Sequence, residues 1–426
     1  MSDFSEKPTP IKPRIIIHGG AGNITRDNLP ADLWSTYRSS LLSILHDSTS
    51  KLSENGATAL DIATYAVTQL ENNPLFNASR GAVFTRAGTI ELEASVMVSR
   101  GYRKRGVGVM GVTKVKHPIL LAREMLMRGE LEDGGGAQGH CQLTGDVCEE
   151  LAEGWELEMV DPSYFWTRKR WEEHRRGLGK SWERGEYEDE KRRANGSGSL
   201  ERSEEGLFDG LTNDPSWNGK DYLPQGTVGC VVLDSTGTLC VATSTGGITN
   251  KLPGRVGDTP TLGAGFWAEE WQVTSAAAAP APSSPLIDVA SFLTSCLPSL
   301  NAYLSVPQDT LSMPQPKRRA AAVSGTGNGD SFLRLAAART ASAIARFNHH
   351  TSFQTAVTAV AGPNGMLQQS AEDRWHQTGE GEGGMIGIEL DAGAGKVVAD
   401  FNCGGMFRAW VDDKGRENVR VFRDDF

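Results

Sequence analysis

The feature that most constrains the fold is the stretch 225–267, in which two short apolar runs flank a polar turn. The runs occupy residues 228–233 and 239–242, and the turn Asp-Ser-Thr-Gly occupies residues 234–237. Apolar runs separated by such a turn predict a β-hairpin. The outer ends of two antiparallel strands lie side by side, so the pattern places the start of the first run next to the end of the second.

Hydroxyl and charged side chains follow the outer ends of this hairpin. Thr227 opens the first strand and Thr245 closes the second, so the hairpin can make them neighbours. Arg255 and Asp258 come later in the same stretch and add one fixed cation and one anion. Two hydroxyls beside an Arg/Asp pair suit a substrate that carries both a carboxylate and an ammonium group.

Five short motifs follow one another along the chain. They are His18-Gly19-Gly20-Ala21-Gly22, Gly226-Thr227-Val228-Gly229, Thr245-Gly246-Gly247, Gly254-Arg255-Val256-Gly257-Asp258 and Ser324-Gly325-Thr326-Gly327. Together they resemble the plant-type asparaginase and isoaspartyl peptidase family, whose members are threonine-dependent N-terminal nucleophile hydrolases. The resemblance covers roughly residues 14–160, 222–272 and 319–411. Each motif alone also fits an ordinary strand or turn, whereas all five in order indicate an enzyme.

The chemistry of Thr227 predicts self-cleavage. A threonine hydroxyl is a poor nucleophile unless a base lies beside it, and a free α-amine, with a pKa of about 7.7–8.0, is such a base. Thr227 lies inside the chain, so its amine becomes free only if the Gly226–Thr227 bond is cut. We expect the Thr227 hydroxyl to attack the Gly226 carbonyl and water to hydrolyse the resulting ester. Gly226 tolerates the unusual backbone angles that this attack requires, because it lacks a Cβ.

The resemblance implies a role for each catalytic group. Thr227 is expected to be the nucleophile, with its freed amine as the base, and Thr245 is expected to tune the Thr227 hydroxyl by a hydrogen bond. Thr326 and Gly327 are expected to form the oxyanion site. His18 is expected to be a buried core histidine rather than a catalytic one.

The resemblance also implies which groups hold the substrate. The Arg255 guanidinium and the Gly329 N–H are expected to bind the α-carboxylate, and a guanidinium suits a two-point contact of this kind. The Asp258 carboxylate and the Gly327 carbonyl are expected to bind the α-ammonium. The implied substrates are L-asparagine and β-aspartyl dipeptides, in which the reacting carbonyl belongs to the side chain.

A sodium ion is expected from the resemblance alone. In the family, the loop that follows the predicted helix 58–72 wraps the ion through backbone carbonyls. The corresponding carbonyls here belong to Glu71, Asn72, Leu75, Phe76 and Asn77. Carbonyl ligation leaves almost no side-chain pattern, and an ordinary helix–strand connection is the alternative. No other cofactor is expected.

Three other functions fit parts of the pattern. A glycosylasparaginase shares the Gly-Arg-Val-Gly-Asp motif, but the polar N-terminus does not resemble the signal peptide of a lysosomal or secreted enzyme. A protein-processing endopeptidase of the threonine-aspartase kind must admit a peptide backbone, which a clamp for a free amino acid at Arg255 and Asp258 disfavours. A binding protein that never cleaves itself would usually lack the nucleophile, whereas Thr227 is present.

Composition limits the classes of partner that the protein is expected to bind. The net charge of −10 gives no electrostatic footprint for nucleic acid, and no run of about 18 apolar residues predicts a membrane span. Six cysteines without CxxC spacing are typical of reduced cytosolic thiols. We therefore expect a cytoplasmic enzyme that acts on an amino acid or a dipeptide. The relatives imply a dimer of processed α/β pairs.

Helical and strand patterns that alternate along the chain predict a mixed α/β fold, and the resemblance implies a four-layer α/β/β/α sandwich of the N-terminal nucleophile hydrolase type. One domain is expected over residues 14–411, and cleavage would divide the chain into an α subunit, 1–226, and a β subunit, 227–426. Residues 168–221 are poor in aliphatic side chains and predict a flexible linker that begins with a solvated basic helix face. Residues 272–318 are expected to be an insertion.

Overall fold

The larger elements of the protein are twelve strands and ten helices within the residues that the computed structural model describes, namely 11–179, 186–195, 226–273, 317–348 and 350–424. The strands are β1 (Arg14–Gly22), β2 (Leu92–Val98), β3 (Gly106–Val112), β4 (Gln142–Thr144), β5 (Val228–Leu233), β6 (Leu239–Thr245), β7 (Phe266–Val273), β8 (Lys317–Gly327), β9 (Gly383–Asp391), β10 (Ala394–Phe401), β11 (Gly405–Val411) and β12 (Glu417–Arg420). The helices are α1 (Ala31–Leu52), α2 (Ala59–Asn72), α3 (Pro118–Met127), α4 (Asp146–Gly154), α5 (Arg168–Gly177), α6 (Glu186–Ala194), α7 (Gly329–Leu335), α8 (Ala337–Phe347), α9 (Phe353–Ala361) and α10 (Met366–Gln369).

The predicted hairpin forms the centre of the larger sheet. This sheet has eight strands in the order β12-β11-β1-β5-β6-β2-β3-β4. The turn between β5 and β6 is closed by the Gly237 N–H, which donates to the Asp234 carbonyl at 3.0 Å. Every residue of both strands is buried, which explains why the two runs are almost continuously apolar instead of alternating.

The smaller sheet has four strands in the order β10-β9-β8-β7. Its strands β7 and β8 are antiparallel, with Val273 opposite Lys317. The predicted insertion 272–318 therefore joins two adjacent strands, and residues 274–316 lie outside the described part of the chain. Strand pairing fixes both ends of such a connection, so a long insertion is tolerated there at little entropic cost.

Three apolar clusters hold these elements together. Val231 and Val232 are consecutive in β5; the first faces the smaller sheet and the second faces the cluster that contains α1, α2 and α3. In β8, Ala322 faces the larger sheet, whereas Ala321 faces α7, α8 and α9. This alternation follows from the two-residue period of a strand. The fold is therefore mixed α/β, with apolar side chains on both faces of each sheet.

The prediction of a flexible linker over residues 168–221 is wrong for its first part. Residues Arg168–Gly177 form α5, and residues Glu186–Ala194 form α6. Arg170 is only 1% exposed, so this residue of the basic cluster is buried rather than solvated. Residues 196–221 lie outside the described part of the chain.

Paired charges and aromatic rings make this burial possible. The Arg170 guanidinium contacts the Glu173 carboxylate at 3.0 Å, and the Trp171 and Tyr187 rings pack edge to face at 5.6 Å. A buried charge is tolerated when it is paired and hydrogen-bonded. Counting aliphatic residues therefore underestimates how well this segment packs.

The predictions about membrane spans and about cysteines can be compared with the described residues. Within them, no helix is both long enough and apolar enough to span a membrane. The five cysteines that the structure describes are all free thiols, in agreement with the absence of CxxC spacing.

The core under the smaller sheet gives a stability prediction with a matched control. Phe332 is fully buried, whereas Phe347 is 70% exposed. Replacing Phe332 by alanine should lower the free energy of unfolding by about 3–5 kcal/mol, because a cavity replaces the ring. The Phe347→Ala substitution should cost less than about 1 kcal/mol. Urea denaturation in a Thr227→Ala background, which keeps each chain in one piece, measures both, and equal losses would contradict this packing.

Candidate active site

The hairpin brings Thr227 and Thr245 to the same end of the central sheet. The last aligned pair of the β5–β6 ladder is Val228 with Ser244, and the two threonines each lie one residue beyond it. Both are buried, at 7% and 3% exposure. The predicted placement of the two hydroxyls at one sheet end is therefore confirmed.

The Thr227 hydroxyl contacts a residue that the sequence analysis missed. Its Oγ1 lies 2.8 Å from the Thr259 Oγ1, and either oxygen can be the donor. Thr259 is itself fixed, because the Ser95 hydroxyl donates to its carbonyl at 2.6 Å. Thr259 directly follows Asp258, the last residue of a motif that the sequence already assigned to the site, and this adjacency was the sequence signal for it.

The glycine before Thr227 is enclosed by two other motifs. A Cβ at position 226 would lie 2.6 Å from the Thr326 Oγ1, 2.7 Å from the Ala21 nitrogen and 2.7 Å from the Gly20 Cα. All three distances are too short for a real side chain, so only glycine fits. The Thr326 hydroxyl is fully buried and has no hydrogen-bond partner among the described residues. A buried, unsatisfied donor this close to the residue before Thr227 is suited to stabilising an oxyanion.

Gly327 occupies a backbone conformation that excludes other residues. Its φ is +140°, and a Cβ there would collide with the Glu382 carbonyl. It pairs with Gly383 at the end of the β8–β9 ladder. This tight approach ends β8 and turns the chain into α7, whose first residue is Gly329.

The charged side chains predicted to hold the substrate lie together around Gly329. A Cβ at this position would touch the Asp258 Oδ1 and would lie 3.1 Å from the Arg255 Nη2. The Arg255 Nη2 is 3.1 Å from the Asp330 Oδ1. Within the described residues, the Asp258 Oδ2 and the Arg255 Nε are buried without a hydrogen-bond partner. The missing side chain at Gly329 leaves these groups open to a ligand.

Burial sets the protonation of the acidic group in this clamp. It raises the pKa of Asp258 to about 7, and the nearby Arg255 guanidinium only partly opposes the shift. Asp258 therefore changes charge near neutral pH in the unliganded protein. An incoming ammonium group would favour its ionised form.

Two further charged residues, Glu93 and Lys251, surround the clamp and were not predicted. Glu93 lies opposite Thr245 in the β2–β6 ladder, and its Oε1 accepts from the Gly257 N–H at 3.0 Å. Burial raises the pKa of Glu93 and lowers the pKa of Lys251. The signal for Glu93 was that it is the single charged residue of a largely apolar strand.

His18 is a core residue, as the sequence analysis expected. It is fully buried, and its Nε2 lies 2.7 Å from the Ser324 Oγ. Burial lowers the pKa of His18 to about 3, so the imidazole is neutral at physiological pH. It therefore links β1 to β8 without adding charge to the site.

Some of the five backbone carbonyls predicted to bind sodium already accept hydrogen bonds from other parts of the protein. The Glu71 carbonyl accepts from the Arg80 N–H at 3.1 Å, and the Asn77 carbonyl accepts from the Gly246 N–H at 3.0 Å. The Leu75 carbonyl accepts from the Tyr37 hydroxyl at 3.0 Å. Three of the five predicted ligands are therefore already hydrogen-bonded.

Comparison with known proteins agrees with these motifs. The family model described as Asparaginase matches residues 11–280. The chain is 31% identical to an isoaspartyl peptidase of Salmonella typhimurium over 410 residues, which cover 96% of this chain and 98% of that protein. The isoaspartyl peptidase of Escherichia coli is 30% identical over 410 residues, with 96% of each chain covered.

A third relative is an archaeal protein. The plant-type L-asparaginase of Pyrococcus furiosus is 33% identical over 256 residues, which cover 60% of this chain and 70% of that protein. The resemblance drawn from the five motifs is therefore confirmed. The chain belongs to the asparaginase family that includes these isoaspartyl peptidases and plant-type L-asparaginases.

Proposed function

We propose that this protein hydrolyses the side-chain amide of L-asparagine and of β-aspartyl dipeptides after it has cut itself between Gly226 and Thr227. One observation carries the proposal: the glycine before Thr227 is packed against the unpartnered Thr326 hydroxyl, at the point where the scissile carbonyl must react. The substrate class is supported by relatives named isoaspartyl peptidase and plant-type L-asparaginase.

Maturation begins when the Thr227 Oγ attacks the Gly226 carbonyl carbon. The peptide C–N bond breaks, an ester forms on the Thr227 Oγ, and the hydroxyl proton ends on the released α-amine. Water then hydrolyses the ester, which leaves a carboxylate on Gly226 and restores the hydroxyl. The Thr326 hydroxyl is suited to stabilising the oxyanion of both steps.

Turnover repeats this chemistry on the substrate. The Thr227 Oγ attacks the side-chain carbonyl, and the α-amine accepts its proton and passes it to the departing ammonia or amino acid. Water hydrolyses the β-aspartyl ester and releases L-aspartate. In this scheme Thr245 tunes the Thr227 hydroxyl, and Thr326 with Gly327 holds the oxyanion.

Recognition of the substrate uses the groups around Gly329. The Arg255 guanidinium and the Gly329 N–H bind the α-carboxylate, while the Asp258 carboxylate and the Gly327 carbonyl bind the α-ammonium. A bound substrate would give partners to the buried Asp258 Oδ2 and Arg255 Nε. Such a clamp favours a free α-amino acid group over an internal peptide segment.

The architecture and assembly are part of the same proposal. The three apolar clusters support a four-layer α/β/β/α sandwich of the N-terminal nucleophile hydrolase type, formed as one domain over 14–411 by the subunits 1–226 and 227–426. We also propose a cytoplasmic dimer of processed pairs, which light scattering of the purified enzyme tests. The sodium ion remains an expectation from the resemblance, and no step of the mechanism uses it.

Removing the Thr227 hydroxyl should abolish both maturation and turnover, because nothing remains to attack the Gly226 carbonyl. The natural chain should yield fragments 1–226 and 227–426, whereas the Thr227→Ala chain should stay whole at 45.9 kDa. The Thr227→Ser substitution should keep part of both activities. Intact-mass analysis and N-terminal sequencing measure the cut. Thr236→Ala, at the opposite end of the hairpin, is the matched control and should mature normally.

Substrate assays complete this test. The cut enzyme should release ammonia from L-asparagine and leucine from β-aspartyl-leucine, and should be less active on a glycosylated asparagine. A chain that remains whole after prolonged incubation would favour a binding protein. A cut chain active only on the glycosylated substrate would identify a glycosylasparaginase instead.

The raised pKa of Asp258 predicts a pH-dependent stability. The native carboxyl holds its proton up to about pH 7, whereas an unfolded aspartate releases it near pH 3.9. The native state therefore binds more protons between these values, and the contribution of Asp258 to stability should fall as the pH rises from 4 to 7 and stay constant above.

An Asp258→Asn variant isolates this effect. Urea denaturation should compare the Thr227→Ala chain with the Thr227→Ala, Asp258→Asn double variant. The free energy of unfolding of the chain that keeps Asp258, relative to the double variant, should fall between pH 4 and pH 7. Two curves that run parallel from pH 4 to pH 8 would show that Asp258 titrates normally.

A further inference from the structure

Side chains of helix α5, within the described part of the predicted linker, reach two loops of the candidate active site. Two of its residues, Arg170 and His174, are 1% and 5% exposed. We propose that they are positioning residues: Arg170 holds the loop that supports Thr245, and His174 holds the loop that carries the substrate clamp. The inference rests on the proposed function, because it assigns these two loops to catalysis and to substrate binding.

Arg170 fixes the loop 75–81 through its backbone carbonyls. The Arg170 Nε donates to the Gly81 carbonyl at 2.7 Å, and the Nη2 donates to the Leu75 carbonyl at 3.2 Å. Its remaining nitrogen, Nη1, donates to the Glu173 carboxylate at 3.0 Å. The guanidinium is planar and rigid, so contacts with both ends of the loop and with its own helix fix their relative positions.

Asn77, within this loop, connects it to Thr245. The Asn77 Nδ2 donates to the Gly247 carbonyl at 2.7 Å and lies 3.5 Å from the Thr245 Oγ1. The Asn77 carbonyl accepts from the Gly246 N–H at 3.0 Å. The position of the Thr245 hydroxyl therefore depends on the loop that Arg170 holds.

His174 fixes the second loop through Asn250. The His174 Nδ1 lies 2.5 Å from the Asn250 Oδ1, and the Asn250 Nδ2 donates to the His174 carbonyl at 3.1 Å. The Asn250 N–H donates to the Phe84 carbonyl at 2.8 Å. This loop leads directly to Arg255 and Asp258.

The contacts of Asn77 with Gly247 and of His174 with Asn250 join what would become separate subunits. Helix α5 belongs to the fragment 1–226, whereas Thr245 and Asn250 belong to the fragment 227–426. After cleavage no peptide bond connects them, so these side-chain contacts must keep the loops in place. Their loss should therefore affect the mature enzyme, with Arg170 acting on kcat and His174 acting on KM.

Steady-state kinetics on asparagine separates the two effects. Arg170→Ala should lower kcat at least tenfold and change KM less than twofold. Arg170→Lys keeps the charge but loses the two-point contact, so its kcat should lie between those of the natural enzyme and Arg170→Ala. His174→Ala should raise KM at least fivefold and change kcat less than twofold. Lys169→Ala on the same helix is the matched control and should behave like the natural enzyme.

Two further measurements keep the test independent of folding losses. Asn250→Gly tolerates the φ of +60° at this position and should raise KM as much as His174→Ala, with no further rise in the double variant. Hydrogen exchange of the mature enzyme should show faster exchange at the amides of 246–247 in Arg170→Lys but not in Lys169→Ala.

The possible results distinguish failure of the inference about α5 from failure of the proposed function. If the natural enzyme is active while Arg170→Ala, Arg170→Lys and Lys169→Ala share one kcat and one exchange pattern, the inference about α5 is wrong. Additive effects of His174→Ala and Asn250→Gly on KM would overturn its second half. A natural enzyme that is cut but inactive on asparagine and on β-aspartyl-leucine would instead refute the proposed function, and the exchange experiment would still decide the role of Arg170.

Discussion

The missing side chain at Gly226 is the constraint on which the rest of the site depends. Three segments far apart in sequence meet there: the glycine motif at the end of β1, the start of β5 and the end of β8. A single methyl group would be too close to the Thr326 Oγ1, at 2.6 Å, and to the backbone of Ala21. The two sheets must therefore pack closely around this residue before any chemistry is possible.

Buried charge is the second constraint. Asp258, Glu93 and Lys251 are each no more than 5% exposed. Burial raises the pKa of both acids and lowers the pKa of Lys251, and each shift favours the neutral form. Placing charges in such a site costs stability unless partners are available. In the proposed function, a zwitterionic substrate would supply both signs of charge, which would offset this cost when the substrate binds.

Sequence reasoning succeeded where residue type and local geometry are tightly coupled. The apolar runs and turn of the hairpin predicted the β5–β6 ladder, and the same ladder places Thr227 and Thr245 at one end. Sequence reasoning failed at α5, because Arg170 and its partner Glu173 are buried as a pair, and a composition count scores both residues as solvent-exposed.

Two other features lay beyond the sequence for physical reasons. The position of Thr259 directly after Asp258 was a sequence signal, but its contact with the Thr227 hydroxyl depends on tertiary packing. Backbone carbonyls have no side-chain signature, so the partners of the Glu71 and Leu75 carbonyls became visible only in the folded chain. Local patterns predicted elements and motifs, whereas the contacts between motifs required the structure.

In the proposed mechanism, self-cleavage requires glycine at position 226, because its missing side chain leaves room for the Thr326 hydroxyl close to the scissile peptide bond. The most direct measurement is the rate of self-cleavage of a Gly226→Ala chain, followed by intact mass beside the natural chain. The added methyl group should block cleavage although Thr227 is present. The natural fragments 1–226 and 227–426, produced separately in one cell, should still assemble into an active enzyme. Cleavage of the Gly226→Ala chain at the natural rate would contradict this mechanism.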